Sequence, residues 1–186
     1  MNIAQVIDYY DNFVEYQNIS KVNDRIYALY KRAKSHGLNS YSNVLELGSG
    51  IGVMTYLLLK TVKKGTIESV EISPKSVAFA KSKIKNKNIN FFVDDVVSYK
   101  PELKSIDIIT LFDVIEHIPK EKHFELFKNI SSYMNEGSVL LINIPNPEYI
   151  EFDINHQPEV LQIIDQPIHL DFLLPNLETN DLCISL

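Results

Sequence analysis

Three glycines at alternate positions, Gly48, Gly50 and Gly52, follow a short apolar run that contains Glu46. Glycine lets a chain turn tightly and lets its backbone approach a ligand closely, because no Cβ stands in the way. The helix predicted after this loop would offer free N–H groups and the positive end of its dipole to an anionic ligand. We therefore predict a ligand-binding loop between a strand and a helix.

The spacing of the loop separates two classes of nucleotide site. The dinucleotide fingerprint G-x-G-x-x-G would need glycine where this chain has Val53, and no Walker lysine follows the loop. Glu71 ends the next predicted strand, where a carboxylate can accept two hydrogen bonds from the diol of a ribose. The pattern predicts a nucleoside-containing ligand and disfavours a nucleotide-dependent oxidoreductase, which stays as an alternative.

A second set of reactive side chains, Asp113, Glu116 and His117, follows the fourth predicted strand. His117 is a candidate general base because the ordinary pKa of histidine lies near neutrality; the alternative is a histidine that packs against or caps this loop. In a helical turn the spacing D-x-x-E-H would place all three side chains on one face. With His169 or His156 they would then be candidate ligands for a divalent cation, although we predict no metal site.

Alternating strands and helices must position these residues. Five apolar runs are predicted as strands, at 44–47, 67–72, 89–93, 106–112 and 138–144, with a sixth at 181–186. Helices are predicted within the first 40 residues, at 52–62, from Pro74, at 120–134 and at 171–180. Continuously apolar strands are typical of a parallel sheet covered on both faces. We predict a Rossmann-like, doubly wound α/β fold that binds its ligand at the carboxyl ends of the strands.

The length of 186 residues predicts a single domain, 1–186. We divide it into an N-terminal helical cap (1–40), a core (43–144) and a substrate-side insertion (145–170), since the helical periodicity breaks there. Ser20 is predicted to cap the second helix and Gly37 to end it. His36 and His123 are predicted as exposed helix histidines, and the segment 143–147 as a turn with two prolines.

Four segments, VLELGSGIG, SVEISPKSVAFAK, FFVDDV and IDIITLFDVIEHI, resemble the successive motifs of class I S-adenosylmethionine-dependent methyltransferases. The resemblance covers about residues 40–180, and DVIEHI points to the small-molecule branch of ubiquinone- and menaquinone-type O-methyltransferases. It implies S-adenosylmethionine as the cofactor. It also implies a methyl acceptor that is a small molecule or glycan-type compound, methylated at oxygen.

The resemblance assigns a role to each matching position. Glu46 and the backbone from Gly48 through Gly50 to Gly52 would hold the methionine portion of the cofactor, and Glu71 the ribose hydroxyls. Ile72 would lie against the adenine, Asp95 would accept from its amino group, and the Val96 N–H would donate to a ring nitrogen. Asp94 stays as an alternative to Asp95. Leu111 and Phe112 would lie beside the sulfonium.

Charge and composition limit the partners. The chain carries 18 basic and 24 acidic residues, a net charge of −6, whereas nucleic-acid-binding domains usually have a basic face. With one cysteine, Cys183, and no apolar run of about 18 residues, we predict a cytoplasmic protein without a membrane span or disulfide framework. A module that binds the cofactor without turnover remains an alternative.

Two further expectations concern the edges of the site and of the sheet. Tyr9 and Tyr10 are candidates to close over the ligand from the N-terminal helices. Domains of the resembled family end with an antiparallel strand pair, of which the segment 181–186 supplies one strand at most. Two alternatives follow: either the sequence is truncated, or a partner completes the edge. Because an unpaired sheet edge favours association, the second alternative predicts a homo-oligomer formed through the C-terminal edge of the sheet.

Overall fold

A computed structural model describes residues 3–14 and 22–184 of the chain. The helices are α1 (Ile3–Phe13), α2 (Asp24–Ser35), α3 (Val53–Thr61), α4 (Pro74–Lys83), α5 (His123–Tyr133), α6 (Pro147–His156) and α7 (Leu170–Glu178). The strands are β1 (Val44–Leu47), β2 (Ile67–Glu71), β3 (Ile89–Val93), β4 (Ile108–Phe112) and β5 (Val139–Asn143). Short 3-10 turns lie at Ile115–His117, Lys120–Lys122 and Pro158–Val160.

The five strands form one parallel sheet in the order β3-β2-β1-β4-β5. All residues of β1 and β2 are buried, and those of β5 are half-buried because this strand lies at an edge. The chain leaves β1 towards β2 on one side and returns to β4 on the other, so a crevice opens at the carboxyl ends of β1 and β4. The predicted Rossmann-like α/β sheet is confirmed.

Two hydrophobic clusters cover the two faces of the sheet. One centres on Leu45 and Leu111 of the sheet and Phe127 of α5, and α7 packs into it. The other joins Val44 of β1 to Leu58 of α3 and to the buried side of α2. Successive residues of β1 therefore enter opposite clusters, as the twofold period of a strand requires. The two clusters thus support the strand ends, where the predicted site residues lie.

Local chemistry accounts for the helix boundaries near the site. The Asn23 side chain accepts from the Ile26 N–H and so caps α2, which Gly37 follows with a φ of 102°. Ser73 caps α4 by accepting from the Ser76 N–H, with Pro74 at the first helical position. The cap predicted at Ser20 lies outside the described residues.

Three predictions of local structure are wrong. The predicted loss of periodicity in the segment 145–170 is wrong, because Asn146 caps α6 and Pro147 begins this helix, where a turn was predicted. His123 is buried, not exposed, since its Nε2 bonds the carbonyls of Ile115 and Ile118 at 2.9 Å each. Residues 181–184 form no strand, and 185–186 lie outside the described residues.

Within the described ranges, the helices include none whose length and hydropathy would let it cross a membrane.

Candidate functional site

Two cavities flank the glycine loop at the carboxyl ends of β1 and β4. The first, of about 300 Å³, runs past Glu71 to His117, and the second, of about 380 Å³, lies beside Glu46. Gly48, Gly50 and Asp113 line both cavities. The loop therefore forms a common wall between two spaces, each large enough for part of a small organic ligand.

The three glycines of the loop have different surroundings. A Cβ on Gly48 would stand 2.3 Å from Cγ2 of Val114, and one on Gly52 would stand 2.9 Å from Cδ1 of Ile84. A Cβ on Gly50 would meet no atom within 4 Å. All three residues have positive φ, between 52° and 89°. Gly48 and Gly52 thus permit close packing inside the protein, whereas Gly50 leaves open space in the cavities.

Glu71 is held by the backbone at the boundary of the first cavity. Its Oε2 accepts from the Gly50 N–H at 2.8 Å, and its Oε1 accepts from the Ser73 N–H at 2.9 Å. The residue is 7% exposed, and burial raises the pKa of its carboxyl even though these two hydrogen bonds act in the opposite direction. The arrangement fixes both oxygens and leaves their remaining lone pairs for a hydroxyl-bearing ligand.

Glu46 lies deeper, on the side of β1 that faces α3. Its Oε2 accepts from Thr55 Oγ1 at 2.6 Å and from Ser69 Oγ at 2.9 Å. Burial raises the pKa of the Glu46 carboxyl to about 7, against the lowering effect of both hydroxyls. Glu46 lines the second cavity, and near neutral pH it can both donate and accept a hydrogen bond.

The residues after β2 and β3 form the far wall of the first cavity. Ile72, Asp95 and Val96 line it, whereas Asp94 does not. Oδ1 of Asp95 accepts from the Val97 N–H at 3.0 Å, and Asp94 Oδ1 accepts from the Asp95 N–H at 2.8 Å. The sequence left Asp94 and Asp95 as alternatives for the adenine contact, and of these two residues Asp95 lines the cavity.

The prediction for Leu111 is wrong with respect to its side chain. Leu111 is fully buried in the hydrophobic cluster beside Phe127 and lines neither cavity. The next residue, Phe112, points to the opposite face of the sheet and lines the second cavity. The twofold period of β4 decides which of the two neighbours meets a ligand.

His117 lies at the end of the 3-10 turn Ile115–His117 and lines the first cavity. Its Nδ1 is 2.6 Å from the Ile164 carbonyl oxygen and 3.0 Å from Oδ1 of Asp165. Its Nε2 is 3.8 Å from Oε1 of Glu116, whose side chain is fully buried. Burial alone would lower the pKa of His117, but Asp165 and Glu116 outweigh it and raise the pKa.

The predicted face shared by Asp113, Glu116 and His117 is absent. Asp113 has a φ of 54° and precedes the 3-10 turn, and its carboxylate is bound by Arg25 and by Asn143 Nδ2.

The two later histidines are engaged elsewhere: His169 Nε2 is 2.7 Å from Glu151 Oε1, and His156 stacks on Phe152. Over residues 3–14 and 22–184, no three His, Cys, Asp or Glu side chains are grouped as ligands of one metal ion.

The N-terminal helix covers the first cavity. Ile3, Val6 and Tyr10 of α1 line it, and the Tyr10 ring lies 6.2 Å from the His117 ring. Asp11 anchors this helix to the start of α4, because its Oδ1 accepts from Ser73 Oγ at 2.5 Å and from the Lys75 N–H at 3.0 Å. Tyr10, one of the two tyrosines predicted to close over the ligand, therefore lies at the cavity.

Sequence reasoning missed several residues that shape the site. Asp165 and Arg25 bind predicted site residues from distant parts of the chain, and Asp11 holds α1 in place. No motif or periodicity marks these residues. Only long-range contacts, which a single sequence does not display, could have revealed them.

Comparison with known proteins identifies the family of this chain. A family model described as "Methyltransferase domain" matches residues 10–172, and the chain belongs to this family. The chain is 29% identical over 152 residues to malonyl-[acyl-carrier protein] O-methyltransferase 1 of Ilyobacter polytropus, covering 81% of this chain and 53% of that protein.

It is 34% identical over 104 residues to a tRNA N(3)-methylcytidine methyltransferase of Schizosaccharomyces pombe, covering 53% of this chain and 42% of that protein. The chain thus spans about half the length of the curated relatives it matches. Its fold is similar to that of magnesium protoporphyrin IX methyltransferase from Synechocystis PCC 6803 with bound SAH. In that comparison the TM-score is 0.74 and the identity 16%, covering 99% of this chain and 90% of the other.

Proposed function

We propose that this chain transfers a methyl group from S-adenosylmethionine to an oxygen atom of a small-molecule or glycan-type acceptor. The observation that carries the proposal is the Glu71 carboxylate, fixed by the Gly50 amide at the wall of a cavity that continues to His117. Membership of the methyltransferase family and the SAH bound in the Synechocystis protein support this choice of cofactor.

The residues around the two cavities fit such a cofactor. Glu71 would accept hydrogen bonds from the ribose hydroxyls, and Ile72 would pack against the adenine ring. Asp95 would accept from the amino group of the adenine, and the Val96 N–H would donate to a ring nitrogen. The second cavity, with Glu46 and the loop from Gly48 to Gly52, would hold the methionine portion. The open space beside Gly50 supports this assignment, since Gly50 lines both cavities and a side chain there would take up space next to the loop.

The cofactor would supply a methyl group activated by its sulfonium. The chain would orient the acceptor, exclude water and accept the proton that the acceptor hydroxyl loses. Holding two reactants in line can lower the barrier by about 7–11 kcal/mol. In our proposal Nε2 of His117 accepts the proton that the acceptor hydroxyl loses as its new O–C bond forms. The hydrophobic residues of α1, with Tyr10, would shield this site from solvent.

Within the family, the DVIEHI segment favours the branch of ubiquinone- and menaquinone-type O-methyltransferases, whereas the curated relatives include a malonyl-[acyl-carrier protein] O-methyltransferase. Both support oxygen as the methylated atom. The tRNA methyltransferase among the relatives points the other way, but the net charge of −6 favours an acceptor other than a nucleic acid. A mobility shift of RNA or DNA that weakens steeply with salt would contradict this proposal.

We further propose that the chain forms a single domain with an N-terminal cap (1–40), a core (43–144) and a substrate-side insertion (145–170), and that it is located in the cytoplasm. We also propose that two copies associate through the edge strand β5, whose residues are half-buried. Light scattering would give the mass of the particle. A monomer at all concentrations tested would contradict the association.

Calorimetric titration tests the proposed cofactor. We expect S-adenosylmethionine and S-adenosylhomocysteine to bind and a nicotinamide dinucleotide not to bind; the reverse preference would favour the oxidoreductase alternative. A panel of hydroxyl-bearing acceptors is then assayed for release of S-adenosylhomocysteine. Cofactor binding without release on any acceptor would favour the module without turnover.

A further inference from the structure

We propose that the segment 162–166 sets the proton chemistry of the site. The Ile164 carbonyl and the Asp165 carboxylate hold His117 with its proton on Nδ1, so that Nε2 presents a basic lone pair. We further propose that the acceptor is an uncharged hydroxyl compound. This inference rests on the proposed function, and it makes Asp165 a positioning residue that acts through His117.

The contacts at Nδ1 fix the tautomer of the imidazole. A carbonyl oxygen can only accept, so the 2.6 Å contact from Nδ1 to the Ile164 oxygen requires a proton on Nδ1. Oδ1 of Asp165 lies 3.0 Å from the same nitrogen and adds a negative charge beside the ring. A neutral His117 therefore carries its lone pair on Nε2, and the nearby carboxylate makes this nitrogen more basic.

The segment is fixed against the turn that carries His117. The Gln162 N–H donates to Oδ2 of Asp165 at 2.7 Å, which orients the carboxylate. The Gln166 N–H donates to the Glu116 carbonyl at 3.0 Å, and the Gln166 side chain donates to the Ile118 carbonyl at 2.9 Å. These bonds hold Asp165 at a defined distance from the imidazole, as a positioning residue requires.

A second carboxyl lies on the other side of the ring. Neither carboxylate oxygen of Glu116 has a hydrogen-bond partner on another described residue, and Oε1 is 3.8 Å from Nε2 of His117. Burial raises the pKa of Glu116 to about 7, although His117 counteracts this. When Nε2 accepts a proton, the imidazolium lies between Glu116 and Asp165, and its charge is balanced without rearrangement.

The groups around His117 favour one class of acceptor. Glu71 and Asp95 line the first cavity with His117, the Asp113 carboxylate there is paired with Arg25, and Lys122 is the one cationic side chain of the described lining apart from His117. Tyr10 faces His117 from α1 and contributes no charge near neutral pH, since burial raises its pKa. A carboxylic acid acceptor is already ionised near neutral pH and needs no base. An uncharged hydroxyl needs one, and the apolar walls formed by Val6, Ile118 and Ile164 suit it.

Nuclear magnetic resonance of the cofactor-free protein, labelled with ¹⁵N-histidine, tests the tautomer and the pKa directly. The chain has five histidines, and His117→Gln assigns the signals of His117. We expect Nδ1 to be protonated in the neutral ring, with a pKa above the usual 6.5. Asp165→Asn is expected to lower that pKa by about one unit while the tautomer stays the same, because the Ile164 carbonyl remains.

The matched control is Glu151→Gln, which removes a carboxylate of α6 that is 2.7 Å from a different histidine, His169. We expect it to leave the titration of His117 unchanged. A neutral His117 protonated on Nε2 would overturn the proposal, as would a pKa of His117 that Asp165→Asn leaves unchanged. These readouts need no turnover, so they are distinct from failure of the proposed methyl transfer.

Two kinetic measurements complete the test once an acceptor is found. The rate should rise with pH as His117 loses its proton, and Asp165→Asn should move this acid limb to lower pH by about the same unit while lowering the plateau. An alcohol should be methylated faster than the carboxylic acid of matched shape. A carboxylate that reacts faster than its matched alcohol would overturn the assigned acceptor class.

Discussion

The backbone amide of Gly50 donates to Oε2 of Glu71 across 2.8 Å, which ties the glycine loop after β1 to the end of β2. A ligand that bonds Glu71 is therefore aligned with the loop at the same time. The hydrogen bond also fixes the backbone of the loop at Gly50, where no neighbouring atom would contact a Cβ.

Removing the Glu71 carboxylate should weaken cofactor binding. Glu71→Ala loses two charge-assisted hydrogen bonds to the ribose, at about 1.5–3 kcal/mol each, so we expect the affinity for S-adenosylmethionine to fall by about 100-fold or more. Glu71→Gln should lose less, because its amide oxygen still accepts. Calorimetry measures both variants against Glu136→Ala, an exposed glutamate outside the cavities. Equal affinity in Glu71→Ala and wild type would remove the ribose assignment.

The glycines of the loop should separate folding from binding. Gly48→Ala meets Val114 at 2.3 Å in addition to the cost of a positive φ, about 1–2 kcal/mol, whereas Gly50→Ala bears the backbone cost alone. We expect Gly48→Ala to lower the melting temperature more. Gly50→Ala should chiefly weaken cofactor binding, because its methyl group enters the cavity. The opposite ranking of melting temperatures would contradict this view of the loop.

The anchor between α1 and α4 should control access to the first cavity. Asp11→Asn replaces a charge-assisted acceptor for Ser73 and Lys75 with a neutral one, at a cost of about 1 kcal/mol. We expect faster hydrogen exchange in α1 and several-fold weaker cofactor binding. Asp8→Asn, an exposed change in the same helix, serves as the control. Unchanged exchange in Asp11→Asn would show that other contacts hold the helix.

The buried Glu46 should make stability depend on pH. Its pKa is about 7 in the folded protein and about 4.3 when unfolded, so the folded state binds the proton more tightly. Its stabilising contribution is present below about pH 4 and is lost as pH rises through 7. This loss is on the order of 3 kcal/mol, and Glu116 should contribute in the same direction.

Urea unfolding at pH 5 and pH 8 checks this sign. Glu46→Gln cannot titrate, so its free energy of unfolding should fall less between the two pH values than that of the wild type. The exposed Glu178→Gln should behave like the wild type. If the free energy of unfolding of Glu46→Gln had the same pH dependence as that of the wild type, the group that takes up the proton on folding would not be Glu46.

The elements that could be predicted are those with a strong local pattern. Continuously apolar strands such as β1 and β4 gave the sheet, and the position of Glu71 at the end of β2 followed from it. His123 could not be predicted as buried, because its burial depends on the Ile115 and Ile118 carbonyls, which the 3-10 turn presents. The contact between Asp165 and His117 joins residues far apart in sequence, so no periodicity could indicate it.

The attachment of the segment 162–166 to the turn of His117 has an evolutionary consequence. Gln162 and Ile164 shape the wall that an acceptor would touch, and Asp165 between them governs the base. In a lineage where this segment diverges in sequence, recognition of the acceptor and the basicity of His117 would change at the same time. The glycine loop and Glu71 could stay unaltered. Replacement of the whole segment would change both the wall that contacts the acceptor and the carboxylate beside His117. A new acceptor specificity would therefore arise more readily by replacing this segment than by a single substitution in the wall.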